Sequence, residues 1–280
     1  MSVQYIAFDA PTDGAPWLSR VVYSDWSDGH QHILHCHEEI AEILLILQGR
    51  GSYTVGLHRT EVEAGDVILT GCGVTHDEFP QTDDLYQTLC LGFCGLALPG
   101  CAPGQFVAER QSPVFHHPPQ FLELAALGGI INRHAEARGN GDEALCQHLA
   151  RGILGLAAQM ASQSAGEPLT EQAALIARLE AYIGAHYTED LTIDRLSKLF
   201  YISPYYLSHL FKERTGYSLK QYILRRRIGE SQTRLYTTRE SVQHIAAAVG
   251  FEDAGYFSRL FTKYIGMPPM EYRKFMNVQI

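Results

Sequence analysis

The sequence has no lysine in its first 169 residues, where seven Arg stand against twenty Asp and Glu, a net of −13. That charge excludes this stretch as the part of the chain that neutralises phosphates. Cysteine is absent after residue 146, and the six present (Cys36, Cys72, Cys90, Cys94, Cys101 and Cys146) include no CxxC pair. A zinc ribbon is thereby excluded, and reduced, mostly buried thiols are expected. No apolar run reaches membrane-spanning length, and the opening MSVQYIAFDAPTDGAP lacks the basic-then-apolar layout of a signal peptide. A cytoplasmic chain with no membrane partner is the expectation.

What is present divides the 280 residues into two electrostatic halves. Residues 170–280 carry fifteen Lys and Arg against eleven Asp and Glu, a net of +4, although the whole chain is at −9. The length suits two domains, each able to bury a core. An acidic half joined to a mildly basic half fits a nucleic-acid reader with a sensor attached, because only the reading half must meet phosphate.

From about residue 15 to residue 95, short apolar runs are punctuated by glycine: WLSRVVYS, AEILLILQG, GSYTVGL, DVILTG and LYQTLCLGF. Such spacing predicts small antiparallel strands closed into a barrel or sandwich. His35 and His37, two apart, are expected on one face of a strand with Glu42 further along, and His76 follows another strand and a Gly-rich turn. His30 and His32, of opposite parity, are expected to face solvent. After LALPGCAPGQF, two helices are predicted at about 120–138 and 142–162, the second with a broad apolar stripe from Leu145 to Ala157. Their apolar faces suit either dimerisation or a cover for the open barrel end. The polar stretch 161–170 reads as a linker.

Gly29, His35, His37, Glu42 and Gly49 stand at the intervals of the first cupin motif, and Gly65, Gly73 and His76 match the second. Gly71 stands where that family usually has Pro, and Pro80 where it usually has Asn. The front end therefore resembles a cupin barrel. The resemblance implies that His35, His37, Glu42 and His76 either hold a divalent transition metal (Fe, Mn, Ni or Zn) or line an effector pocket without one. No cofactor is required by the second alternative.

The rest of the chain is built on caps. A helix is expected from Glu171 to near Asp190, and another at about 192–200 with Thr192 as cap. Ser203, Pro204 and Gly216 then bound SPYYLSHLFKERTG as a third. Leu207, Leu210 and Phe211 make its apolar stripe. Ser218 and Gln221 form a capping box for a long helix whose Arg225, Arg226 and Arg227 suit either phosphate contacts or salt bridges that pin two subdomains, the structural role being favoured. A shift of 50 residues lays SPYYLSHLFKERTG over DAGYFSRLFTKYIG, pairing Tyr206 with Tyr256, Phe211 with Phe261 and Gly216 with Gly266. Two helix-turn-helix units in tandem, joined by a helix of fixed length, set two recognition helices at a defined separation.

The second unit, IAAAVGFEDAGYFSRLFTKYIGMPPMEYRKF, resembles the signature of the AraC/XylS family of transcription regulators over about residues 175–275: the Ile245–Ala246 pair, the Gly250–Phe251 turn, YFSRxF, Gly266, then Pro and Tyr272–Arg273. The resemblance implies a multidomain α+β chain. Its parts are a cupin-like antiparallel barrel (1–110), a helical pair for dimerisation (111–165) and an all-α domain of seven helices with two helix-turn-helix units (166–280). It implies double-stranded DNA, a small-molecule effector such as a sugar or small metabolite, RNA polymerase and a second copy of the chain as partners, and no catalysis. Carried onto this sequence, the DNA-facing positions are Tyr205, Tyr206, Ser208, His209 and Lys212 in the first unit. In the second they are Asp253, Ala254, Gly255, Ser258, Arg259 and Lys263. Tyr256 is expected to be partly buried. Arg259 can pair with guanine, and Lys212 and Lys263 suit phosphates. The alternative is a metal-dependent cupin enzyme fused to a DNA-binding domain.

Overall fold

A computed structural model describes residues 2–10, 14–25, 33–81, 85–108, 111–137, 142–163 and 171–277. Gly29, His30 and His32 lie outside the described residues, as does 164–170, most of the expected linker. The described front end holds strands β1 (Ser2–Ala7), β2 (Trp17–Asp25), β3 (Ala41–Gln48), β4 (Arg50–Val55), β5 (His58–Glu63), β6 (Val67–Thr70), β7 (His76–Pro80), β8 (Gln87–Cys94) and β9 (Val114–Phe115). They form two antiparallel sheets, ordered β1-β2-β8-β3-β6-β9 and β5-β4-β7. Strand β3 is buried on both faces: Ile43 and Leu45 join one core, Leu44 and Ile46 another between the sheets. Two-sided burial is why AEILLILQ reads as a continuous apolar run rather than an alternation. The expected runs fall on β2, β3, β4, β6 and β8. The strands with no such run were missed; β5 (HRTEVE) fully buries only Val62.

Helices α1 (Phe121–Ala137) and α2 (Asp142–Gln163) pack on each other and on β2 and β3. Leu124 and Ile131 of α1, with Ile153, Ala157 and Met160 of α2, complete the core outside the larger sheet. The pair covers the sheet's outer face, a position different from the barrel end expected for a covering role.

Among the described residues seven helices follow, as expected: α3 (Glu171–His186), α4 (Ile193–Phe200), α5 (Pro204–Thr215), α6 (Leu219–Thr237), α7 (Val242–Ala248), α8 (Ala254–Ile265) and α9 (Pro269–Asn277). Thr192 caps α4 and Ser203 caps α5. Gly216 ends α5 in the left-handed region, and the Ser218–Gln221 capping box opens α6. Helix α3 stops at His186, short of the expected Asp190. Arg227 of α6 explains the stop, because its guanidinium donates to the carbonyls of Tyr187 (2.8 Å) and Glu189 (2.8 Å). Those oxygens thereby find a partner outside the α3 ladder. The same side chain reaches the Gly250 carbonyl at 2.7 Å, in the turn of the second unit. One arginine thus ties the connection between α3 and α4, and the turn of the second unit, to the helix between the units. The pinning role expected of the arginine triplet holds, but at Arg227 it is carried by carbonyls rather than salt bridges.

The two halves share a core. Ile33, Leu34 and Leu57 of the front end are buried in the helical domain's apolar cluster, together with Leu207, Phe211, Tyr222 and Ile228. Helix α6 lies so close to the segment before β3 that a β-carbon on Gly229 would stand 2.2 Å from the Leu34 carbonyl oxygen and 2.7 Å from that of Ile33. Backbone on both sides leaves nothing flexible to yield. Gly229→Ala is therefore expected to destabilise the full chain by about 1–3 kcal/mol, the usual cost of overpacking. Denaturant unfolding measures it, and increased amide exchange in residues 33–36 is the accompanying sign of a parted seam.

Candidate functional site

Strand alternation builds one cavity. On β2 the side chains of Arg20, Val22 and Ser24 face it while Leu18 and Val21 enter the core outside the sheet; on β8, Thr88 and Cys90 face it while Leu89 and Leu91 do not. Glu42 and Leu44 of β3, with Tyr53 of β4 and His76 and Glu78 of β7, complete the barrel wall. The space amounts to about 810 Å³ including its mouth.

His35 and His37 do not lie in a strand, contrary to the sequence expectation. They sit in the irregular segment before β3, where His35 makes an isolated antiparallel bridge to His76, with backbone bonds of 2.9 and 2.8 Å. The bridge still brings the rings together. Their centroids lie 4.8 Å (His35–His37), 4.3 Å (His35–His76) and 5.6 Å (His37–His76) apart, and one nitrogen from each falls within 4.8 Å of the others. His35 Nδ1 meets the Ile33 carbonyl at 2.9 Å and His76 Nδ1 the Val74 carbonyl at 3.0 Å. If those nitrogens carry the protons, both Nε2 atoms are left as ligands, the outer-shell arrangement that metal-binding histidines use.

Glu42 joins this cluster, but its first partner is one the sequence reading missed. Arg20 Nη2 donates to Glu42 Oε1 at 2.5 Å, His76 Nε2 lies 2.9 Å from Oε2, and His37 Nε2 is 3.8 Å from Oε1. Burial pushes the Glu42 carboxyl up, and Arg20, His37 and His76 together outweigh burial and hold it well below the usual carboxylate range. The three imidazoles, with Glu42 beside them, are a donor set that would fit a divalent transition metal: His35, His37 and His76 would hold it, and it would supply a Lewis-acidic centre. Arg20 Nε is buried without a hydrogen-bond partner among the described residues. Glu78 is pushed by burial to about 8, so at neutral pH its carboxylic acid can donate. One signal for Arg20 was available: it is a lone charge at a cavity-facing position of β2.

The barrel does not close the cavity alone. Gly229, Gln232, Thr233 and Tyr236 of α6, with Tyr272 and Met276 of α9, form the remaining wall, and Tyr236 approaches Tyr5 at 6.4 Å between centroids. Nothing in the local pattern of either helix announces this role. Further along the seam, Arg225 donates to Asp77 Oδ2 from Nε (3.2 Å) and Nη2 (3.0 Å), both side chains being buried. Its guanidinium also stacks 4.5 Å from the Phe79 centroid and 4.9 Å from that of Tyr217. Tyr222 donates to the Gly56 carbonyl at 3.1 Å, and Arg226 Nη2 meets Cys36 Sγ at 2.7 Å.

Helix α5, the second helix of the first helix-turn-helix unit, exposes Tyr205, Tyr206, Ser208, His209 and Lys212 and buries Leu207, Leu210 and Phe211. His209 lies 3.7 Å from Glu213. In α8, Gly255, Arg259 and Lys263 are exposed. Three expected DNA-facing positions are otherwise engaged. Asp253 is the N-cap, its carboxylate accepting from the Tyr256 amide, and Ala254 packs against the core. Ser258 is half-buried and donates to the Ala254 carbonyl at 2.8 Å. Tyr256, expected to be partly buried, keeps 43% of its surface exposed, the same as Tyr206.

Residues 196–274 match the helix-turn-helix domain family and residues 24–84 the cupin domain family. The chain is 24% identical over 267 residues to the uncharacterized HTH-type transcriptional regulator YdiP of Escherichia coli, spanning 92% of this chain and 86% of that one. It is 30% identical over 158 residues to the arabinose operon regulatory protein of Escherichia coli, spanning 56% of this chain and 52% of that one. Among solved structures, the C-terminal domain of the two-component response regulator yesN from Fusobacterium nucleatum is 35% identical; the match covers 35% of this chain and 95% of that chain, with a TM-score of 0.33. No helix among the described residues is long and apolar enough to cross a membrane.

The buried ion pair on the seam gives a direct test of how the halves are joined. Arg225→Met leaves Asp77 buried without its partner and should destabilise the chain by about 3–5 kcal/mol, while pairing it with Asp77→Asn should recover much of that loss. Chemical denaturation of the wild type, the two single variants and the double variant completes the cycle.

Proposed function

We propose that this chain, whose residues 196–274 match a helix-turn-helix domain and 24–84 a cupin domain, is a transcription regulator of the AraC/XylS family, binding DNA sequence-specifically and gated by a small molecule held in the barrel cavity. One observation carries this reading: the cavity wall is completed by α6, the helix that joins the two helix-turn-helix units. A molecule in the cavity touches the sensing and the reading halves at once. It favours whichever arrangement of α6 and α9 it contacts better, which is the differential affinity that any ligand-driven shift requires.

The lining suits a small polar effector. Arg20, Glu78, Ser24, Thr88, Gln232 and Thr233 offer hydrogen bonds, and Tyr53, Tyr236 and Tyr272 offer flat apolar faces. Sugars and small hydroxylated metabolites have both surfaces, and the name of the arabinose operon relative is consistent with that class. Homodimerisation through α1 and α2, and contact with RNA polymerase, belong to the same proposal. On DNA, Tyr205, His209 and Arg259 are the candidate base readers, with Lys212 and Lys263 on phosphates.

Binding to a duplex selected from a random library, measured against a scrambled duplex of equal length, tests the reading. Arg259→Ala should lose roughly 1–3 kcal/mol of discrimination and His209→Ala a smaller amount. Equal affinity of the wild type for both duplexes would sink the proposal.

The cavity is further proposed to hold one divalent transition metal on His35, His37 and His76, with Glu42 as the fourth group. When bound, such an ion would supply a Lewis-acidic centre able to take an oxygen of the effector. This ligand set is also what favours the second reading, a cupin enzyme fused to a DNA-binding domain. Protein purified without chelators should contain close to one equivalent, and His76→Ala should lose it along with several degrees of Tm. Metal content below about a tenth of an equivalent in the wild type removes both the ion and the enzyme reading.

A further inference from the structure

The turn that precedes α5 holds a residue that the rest of the chain does not account for. Tyr201, the C-cap of α4, has φ +56° and ψ +43°, in the left-handed region that a residue with a β-carbon enters at a cost. The helices that precede the two recognition helices repeat at an offset of 49, Leu196 over Ile245, which places Gly250, with φ +90°, at the corresponding turn. Glycine is demanded there twice over, since a β-carbon on Gly250 would also come within 2.5 Å of the Thr188 carbonyl oxygen. At Tyr201 the same backbone conformation carries the largest side chain in the turn. That side chain is 95% exposed, and no hydrogen bond, ion pair or ring contact involves it among the described residues. The fold would be served as well or better by glycine, so the tyrosine is explained by something outside the chain.

Its surroundings say what. Tyr201 stands two residues before Ser203, the cap of the recognition helix, and so at the end of α5 that a helix-turn-helix directs into the major groove. Tyr205 of α5 is 81% exposed, and Lys198, one turn earlier in α4, is exposed as well. These exposed aromatic and basic groups flank the N-terminal end of the helix proposed above to read DNA.

We propose that Tyr201 is a DNA-backbone contact. Its ring lies along the deoxyribose at the edge of the groove entered by α5, and its hydroxyl donates to a phosphate oxygen beside the charge supplied by Lys198. Such a contact fixes the register of α5 without reading sequence. The inference rests on α5 being a DNA-reading helix and adds a residue outside it.

The test uses the full chain, the selected and scrambled duplexes, and the variants Tyr201→Gly and Tyr201→Phe, with affinity read by fluorescence anisotropy and folding by thermal melting. Tyr201→Gly should melt at the wild-type temperature or above it, because glycine relieves the left-handed backbone. It should bind both duplexes more weakly by a similar factor, roughly 5–10-fold, so that selectivity is kept. Tyr201→Phe should fall between it and the wild type. Unchanged affinity in Tyr201→Gly overturns the proposal. So does a loss confined to the selected duplex, which would make Tyr201 a base reader. A wild type that binds neither duplex removes the DNA reading itself; a wild type that binds selectively beside an unaffected Tyr201→Gly variant overturns this inference alone.

Discussion

The structure turns on the contact between α6 and the irregular segment that carries His35 and His37. On one side of that segment the histidine rings enter the cavity; on the other, Leu34 and Cys36 meet Gly229 and Arg226. The absence of a side chain at Gly229 is what lets the helix backbone come so near. The charges along this seam do not make it strong in the ordinary sense. A buried pair such as Arg225–Asp77 gains little over an apolar replacement of the same shape, since desolvating two ions offsets most of their attraction. It gains in discrimination instead: a slipped seam leaves both charges buried and unpaired, which the correct register alone avoids.

The helical half was largely legible in the sequence because its information is local. Caps such as Thr192, Ser203 and Ser218 satisfy amides within three residues, and the repeat made the second unit a check on the first. The histidine cluster was legible as a spacing, although for a reason that differed in part from the observed one: a bridge to His76, not a shared strand face, brings His35 into the cluster. What could not be read were the partners far away in the chain. Arg20 is 22 residues from Glu42, and Arg225 is 148 from Asp77. Nor could the sequence say that Gln232, Tyr236 and Tyr272 would close a cavity whose floor lies in another domain. Burial of a polar group by a surface that does not exist until the domains meet leaves no periodicity to detect.

The division of charge looks different once the contacts are known. Of the fifteen basic residues after position 169, several are occupied internally: Arg225 on Asp77, Arg226 on Glu230, Arg227 on three carbonyls, and Arg273 on the carbonyls of Leu235 and Glu240. These guanidinium groups are held in place by the fold, and Arg225 is paired with an acid of the barrel, so fewer cations are free to meet phosphate than the count of fifteen suggests. Affinity in such a molecule depends on well-placed short-range contacts more than on counterion release, so its response to salt should be shallow for a DNA-binding protein.

Ile33, Leu34 and Leu57 lie in the core of the helical domain although the chain delivers them with the barrel. A cut at the linker separates two sequences but not two folding units, for it strips three apolar side chains from one core and uncovers the face of α6 that received them. The barrel and helical halves are thus less interchangeable than a two-domain diagram implies. A chimera carrying another regulator's barrel would need that regulator's α6 surface as well, and the seam, rather than the linker, is the joint along which such molecules can be recombined.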